Sequence, residues 1–173
     1  MIYVLAYPEF ERGVAQGIDR FRSLHEPDRA RMVRPHITLV FGSRREDADT
    51  LLGLCEDVSR TTPKLTIAFS GTKVAWDPFD KAHKLFLTCG RGARTLTALH
   101  RRLYEGPHRH DLRSDLPYAP HMTVATNADQ TVIEGLDVAD IGALPITGTV
   151  KALELVEATG DRLNARATIP FRT

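Results

Sequence analysis

The sequence predicts an α+β fold: a bilobal duplicated unit in which two antiparallel β-sheets line a central cleft, with helices on the outer faces. Two observations predict it. Strand and helix signals recur in a similar order in the two halves, with no linker, low-complexity tract or heptad run between them. A Pro-His-x-Thr unit also occurs twice, at Pro35-His36-Ile37-Thr38 and Pro120-His121-Met122-Thr123, and the histidines lie 85 positions apart in a chain of 173.

In order along the chain, Ile2 to Tyr7 is a short run of strand formers ended by Pro8. Phe10, Val14, Ile18, Phe21 and Leu24 then recur at steps of three and four, as one face of a helix does. Val33 to Phe41 is a strand stopped at Gly42, and Glu46 to Arg60 is a second helix with acidic residues in its first turn. Leu65 to Trp76 is extended, turns at Asp77-Pro78, and returns over His83 to Thr88. Gly92 to Tyr104 carries Leu96, Leu99 and Leu103 at helical spacing, and a polar loop follows from Glu105 to Asp115. The pattern then repeats: a strand over Tyr118 to Thr126, a short helix over Asp129 to Asp140, and a last hairpin of Ile146 to Ala158 with Leu163 to Phe171 around Thr159-Gly160-Asp161. This length suits one domain, 1–173, with two pseudo-symmetric lobes that each contribute one motif.

Composition narrows the function little. Apolar residues at 42% and charged residues at 26% are ordinary for a globular protein. The net charge of +1 excludes a chain that is basic throughout, so affinity for a polyanion has to be local. Two distant cysteines, Cys55 and Cys89, suggest neither a disulfide framework nor a zinc ribbon. With no secretory leader pattern and no apolar run near a bilayer's thickness, the expectation is a cytoplasmic protein without membrane contact.

The motif carries the chemistry. Seven histidines and the threonines of this chain make one His-x-Thr ordinary by chance, but a preceding proline lowers the expectation to about 0.04 per chain, and two are present. On a strand, alternation puts His36, Thr38 and Val40 on one face and Ile37, Leu39 and Phe41 on the other; His121 and Thr123 repeat this against Met122 and Val124. Pro35 and Pro120 suit strand starts, where an N–H need not be donated. Two imidazoles on one cleft can divide proton removal and proton delivery, while two hydroxyls donate to phosphoryl oxygens. This set needs no metal, and no cofactor is expected.

These residues resemble the 2H phosphoesterases, the superfamily of the 2′-5′ RNA ligase-like proteins and cyclic nucleotide phosphodiesterases, whose hallmark is two H-x-[ST]-apolar motifs half a chain apart, here HITL and HMTV. The resemblance implies hydrolysis of 2′,3′-cyclic or 2′-5′ linked phosphodiesters in RNA or nucleotides. By position it makes His36 and His121 the acid/base pair, with His36 favoured as base, and Thr38 and Thr123 phosphate ligands. RNA ends or small nucleotides are the expected partners of a monomer. An RNA-binding module without turnover and a 2′-5′ RNA ligase are the alternatives.

Around the motifs, Tyr7 is placed at the cleft mouth or in core or rim packing, and Arg44 and Arg45 either hold a distal phosphate or are plain surface. Trp76 and Phe79 read as hairpin-end packing ahead of base stacking, and His108-Arg109-His110 as a solvated loop ahead of a metal site. Residues 81 to 113 hold eight basic side chains against Glu105 and Asp111, a local strip suited to RNA phosphates.

Overall fold

The chain enters on β1 (Ile2–Ala6), whose alternating apolar residues carry it through the middle of a sheet. The computed structural model describes residues 1–113 and 115–173, so part of the loop expected over 105 to 115 lies outside the described residues. After β1 come β2 (Glu9–Phe10), α1 (Arg12–His25), α2 (Pro27–Met32), β3 (Ile37–Ser43) and α3 (Ala48–Thr61). The second half runs β4 (Leu65–Asp77), β5 (Ala82–Cys89), α4 (Ala93–Leu103), β6 (His121–Asn127), α5 (Gln130–Glu134), β7 (Ile146–Val150), β8 (Ala152–Thr159) and β9 (Arg162–Pro170).

The strands form two antiparallel sheets, ordered β3-β1-β8-β9 and β2-β7-β4-β5-β6. The expected α+β class and duplicated unit are therefore present. Each repeat is a strand, a helix and an antiparallel motif strand beside the first: β1-α1-β3 and β5-α4-β6. The helices are exchanged. α1 packs on β6 of the other sheet, and α4 packs on β3. Each motif strand is thus backed by the helix of the other repeat, which merges both halves into one apolar core holding Ile37, Leu39, Met122 and Val124. Gly92 starts α4 at φ 87, where a Cβ would lie 2.7 Å from the Ile67 side chain, so glycine is needed on both counts.

Several expectations need correction. The strand expected over Val33 to Phe41 begins at Ile37 and runs through Gly42 to Ser43, and its counterpart begins at His121 rather than Tyr118. The helix α2 was not foreseen, because none of its residues is buried and it shows no apolar period; Pro27 at its first turn is the signal for it. The segment over Ile146 to Ala158 is two strands, not one. β7 pairs in the five-stranded sheet and β8 in the four-stranded one, with Lys151 at the crossing. The helix over Asp129 to Asp140 shrinks to α5 and a 3₁₀ turn at Val138–Asp140.

Strict alternation also fails within the first motif strand. Val40 is fully buried and Phe41 is 47% exposed, the reverse of the expected faces. The β1–β3 ladder pairs Val4 with Val40 but Leu5 with Thr38, skipping Leu39, and an extra residue in one strand flips the faces beyond it. β6 does the same. Leu85 pairs with Ala125 and Phe86 with Thr123, skipping Val124. Each motif thus ends in a bulge at the residue after its threonine.

Candidate active site

β3 and β6 are each an edge strand of their sheet, and both motifs sit on these edges. The local fold is the same twice. Pro35 and Pro120 precede their strands, and the carbonyls two residues before the histidines are taken by the imidazoles. His36 Nδ1–H donates to Arg34 O at 2.8 Å, and His121 Nδ1–H donates to Ala119 O at 2.8 Å. A carbonyl only accepts, so the proton must sit on Nδ1 in both rings. Each Nε2 has no hydrogen-bond partner among the described residues.

The surroundings of both rings disfavour the charged form. Burial depresses the His36 pKa to about 4, and Arg29, Arg22 and His121 oppose its charging further. That last influence shows that the two imidazoles sense one another. Burial also lowers His121, with Lys84 and Lys73 adding to it. Lys84 is itself buried and paired with Asp77 at 2.5 Å and Asp80 at 2.6 Å. Asp80 also binds Arg29 at 3.2 Å, so the β4–β5 hairpin tip reaches back to α2.

Thr38 and Thr123 are half-buried. Thr38 pairs with Leu5, whose side chain belongs to a small apolar cluster with Val33 and Val156, apart from the main core beneath the sheet. Thr123 pairs with Phe86, and Phe86 lies against the His121 ring with centroids 3.9 Å apart. Tyr7 follows β1 and comes beside His36, at 6.1 Å between ring centroids. Arg34 covers the Tyr7 ring at 3.9 Å and pairs with Glu154 at 2.7 Å. Burial and Glu154 push the Tyr7 phenol up to about 12, so it remains a donor.

Arg44 stands apart. It pairs with Glu46 at 3.4 Å, and six residues at roughly 3.3 Å each separate it from Thr38 along the strand direction. Arg45 pairs with Glu157 at 2.6 Å. Trp76 is 51% and Phe79 is 82% exposed, so packing at the hairpin end does not describe Phe79. His108 is wholly buried in a 3₁₀ turn, its Nε2 2.7 Å from Leu103 O, which corrects the solvated-loop expectation for that residue; His110 is exposed. Among the described residues no group of three or more His, Cys, Asp or Glu side chains is arranged to hold a metal ion.

Sequence reasoning did not single out Arg34, Phe86, Lys73 or Lys84 as neighbours of the histidines. Arg34 belonged to no motif, and the others needed the β4–β5 and β5–β6 registers. A pocket of about 380 Å³ adjoins His36, lined by Tyr7, Phe10, Ile18, Asp19, Arg34 and Pro35 among others. A larger one, about 470 Å³, lies at the C-terminal end of α4 and includes no motif residue; Glu105 and the helix's carbonyl end offset its Arg101 and Arg109.

Two antiparallel sheets with a Pro-His-x-Thr strand on the edge of each, and imidazoles that sense one another, define a protein of the 2H phosphoesterase type. Residues 10–162 match the family described as the 2′-5′ RNA ligase superfamily, and the chain belongs to it. Among solved structures it is similar to TT0787 of Thermus thermophilus, with a TM-score of 0.67, 16% identity, and coverage of 99% of this chain and 97% of that one. Escherichia coli LigT in apo form gives a TM-score of 0.61 and 19% identity over 100% and 99% of the two chains. Kluyveromyces marxianus Usb1 gives 0.57 and 12% over 98% and 97%. LigT is also known complexed with 3′-AMP, where the similarity has a TM-score of 0.62 and 18% identity over 99% and 98% of the chains. Curated protein sequences yield no match.

Proposed function

We propose that this protein is a metal-independent phosphodiesterase that opens 2′,3′-cyclic phosphates, or cleaves 2′-5′ linkages, at RNA ends or in nucleotides. The observation that carries this is the matched pair of imidazoles, each with Nδ1–H tied to a backbone carbonyl and Nε2 left over. In the hydrolytic direction His36 is the base, as the family resemblance favours, and burial with Arg29 and Arg22 keeps its proton affinity low. His36 Nε2 takes a proton from water as the water oxygen bonds to phosphorus. The bond from phosphorus to the ribose oxygen breaks, and His121 Nε2 delivers a proton to that oxygen. Thr38 and Thr123 hydroxyls donate to the non-bridging oxygens, where negative charge grows.

His121 has to be protonated for this role although its surroundings disfavour it in the free protein. The bound phosphate supplies the counter-charge, raising the affinity of the nearby imidazole for a proton. The superfamily membership, and the fold shared with LigT, which is known with 3′-AMP bound, support a nucleotide or RNA-end substrate. Incubation with a 2′,3′-cyclic nucleotide, and separately with matched RNA halves, tests the choice. Ring opening without strand joining supports the hydrolase; joined halves support the ligase; binding without either supports a module that does not turn over.

A further inference from the structure

We propose that Tyr118 is a positioning residue that locks Thr38 at a fixed place relative to His121, and that turnover depends on this strut. The proposal rests on the phosphoesterase reading above. An edge strand leaves backbone groups without a ladder partner, and β3 is such a strand. Three of its backbone groups are met by side chains from the other half. The Tyr118 hydroxyl donates to Thr38 O at 3.0 Å, His100 Nδ1–H donates to Leu39 O at 2.7 Å, and Phe41 N–H donates to the Tyr104 hydroxyl at 3.0 Å. The first two fall on the bulge, where the ladder to β1 skips Leu39 and where the strand is least held by its neighbour.

Tyr118 is itself fixed. The His100 ring lies flat against it, with centroids 3.8 Å apart and planes 7° apart. Burial raises the affinity of the phenol for its proton, so the hydroxyl stays a donor. The chain beyond it is fixed as well. Ala119 O accepts from His121 Nδ1–H at 2.8 Å, and Pro120 O accepts from Cys89 N–H at 3.0 Å. Within four residues, 118 to 121, one stretch therefore grips the threonine of the first motif and the histidine of the second.

The strut belongs to one half only. At the repeat offset of 85, the residue matching Tyr118 is Val33, which has no hydroxyl. The motifs are alike, yet among the described residues only Thr38 has its carbonyl tied in this way. Losing the hydroxyl frees the bulge, so the Thr38 hydroxyl no longer meets the phosphoryl oxygen in the transition state, while the substrate's remaining contacts are untouched.

A double-mutant cycle on a 2′,3′-cyclic nucleotide tests this, with Tyr118→Phe, Thr38→Ala and their combination. Tyr118→Phe is expected to lower kcat about 10-fold with KM within about 2-fold, and to cost less than about 2-fold more in the Thr38→Ala background, because it acts through that threonine. Tyr104→Phe is the control: it weakens a β3 hydrogen bond further along the strand and should lower thermal stability while leaving kcat near wild type. Unchanged kcat in Tyr118→Phe, a loss that persists undiminished with Thr38→Ala, or an equal loss in Tyr104→Phe would each overturn the strut. If Tyr118→Phe does not fold, His100→Phe, which keeps a ring against Tyr118 but loses the Leu39 contact, should show the same dependence on Thr38; additive losses there would overturn it too. A wild-type protein inactive on the nucleotide would instead overturn the phosphoesterase reading on which the strut rests.

Discussion

His36 and His121 have the same hydrogen bond behind them and different charges around them, Arg29 and Arg22 at the first and Lys84 and Lys73 at the second. His36 is depressed to about 4 by burial, Arg29 and Arg22. An unfolded histidine titrates near 6.5, so between those values the unfolded chain binds more protons than the native one. Stability is therefore lost as pH falls from about 6.5 to about 4. Urea unfolding at both ends of that window should show a steeper loss in wild type than in His36→Gln; equal losses would remove the buried neutral imidazole from the account. Because both histidines are lowered, kcat/KM should peak on the acid side of 6.5, and kcat, which reports the phosphate-bound form, at a higher pH. Each single His→Ala change should cost about 10² to 10⁴ in turnover, with the double variant far short of the product. Thr38→Ala and Thr123→Ala should cost about 10- to 100-fold in kcat, each losing one donor to the phosphoryl oxygens. The four motif residues were legible in the sequence because their spacing to one another is local and repeated. Arg34, Phe86 and Lys73 were not, since their nearness to the histidines is made by cross-strand register and by a loop that only the fold brings round.

The motif strands depend on elements from the opposite half. α1 contributes Arg22 and ends at Glu26, both almost fully buried and paired at 2.5 Å. Arg22 also donates to Val33 O at 3.0 Å, ahead of the first motif, and Glu26 accepts from the Thr126 hydroxyl at 3.3 Å, beyond the second. Glu26→Ala should leave the Arg22 charge buried without its partner and cost about 3 to 5 kcal/mol in denaturant unfolding. A loss under about 1 kcal/mol would mean that water reaches the pair. Element existence was readable from period and punctuation: β1, α3, α4 and the β8–β9 turn at Gly160 lie where the pattern puts them, as does α1 except that Phe10 belongs to β2 and Leu24 is exposed. What pattern could not give was a change of partner within a run of uniform character. Ile146 to Ala158 reads as strand from end to end, yet its halves serve different sheets, and the bulges at Leu39 and Val124 leave no mark in composition.

Across the whole molecule, two repeats have traded helices so that their motif strands become adjoining edges rather than buried centres. Edges leave backbone and side chains approachable together, and on β3 the side chains of Tyr118, His100 and Tyr104 meet backbone groups of the edge. Charge is divided unevenly over the remaining surface. The basic stretch of residues 81 to 113 surrounds α4, where Arg101 lines a pocket and Arg102 reaches the Thr61 hydroxyl at 3.3 Å. Arg101→Glu with Arg102→Glu should weaken oligonucleotide binding and flatten its salt dependence while hydrolysis of a mononucleotide changes little. Unchanged oligonucleotide affinity at low salt would take the strip out of the substrate path. The central claim is catalysis by two imidazoles with no metal, and the most direct measurement is hydrolysis of a 2′,3′-cyclic nucleotide in excess EDTA by wild type, His36→Ala and His121→Ala. The account predicts full activity for wild type and a loss of at least about 100-fold in each variant. It is contradicted if EDTA abolishes wild-type turnover and added metal restores it, or if both folded variants keep near wild-type rates.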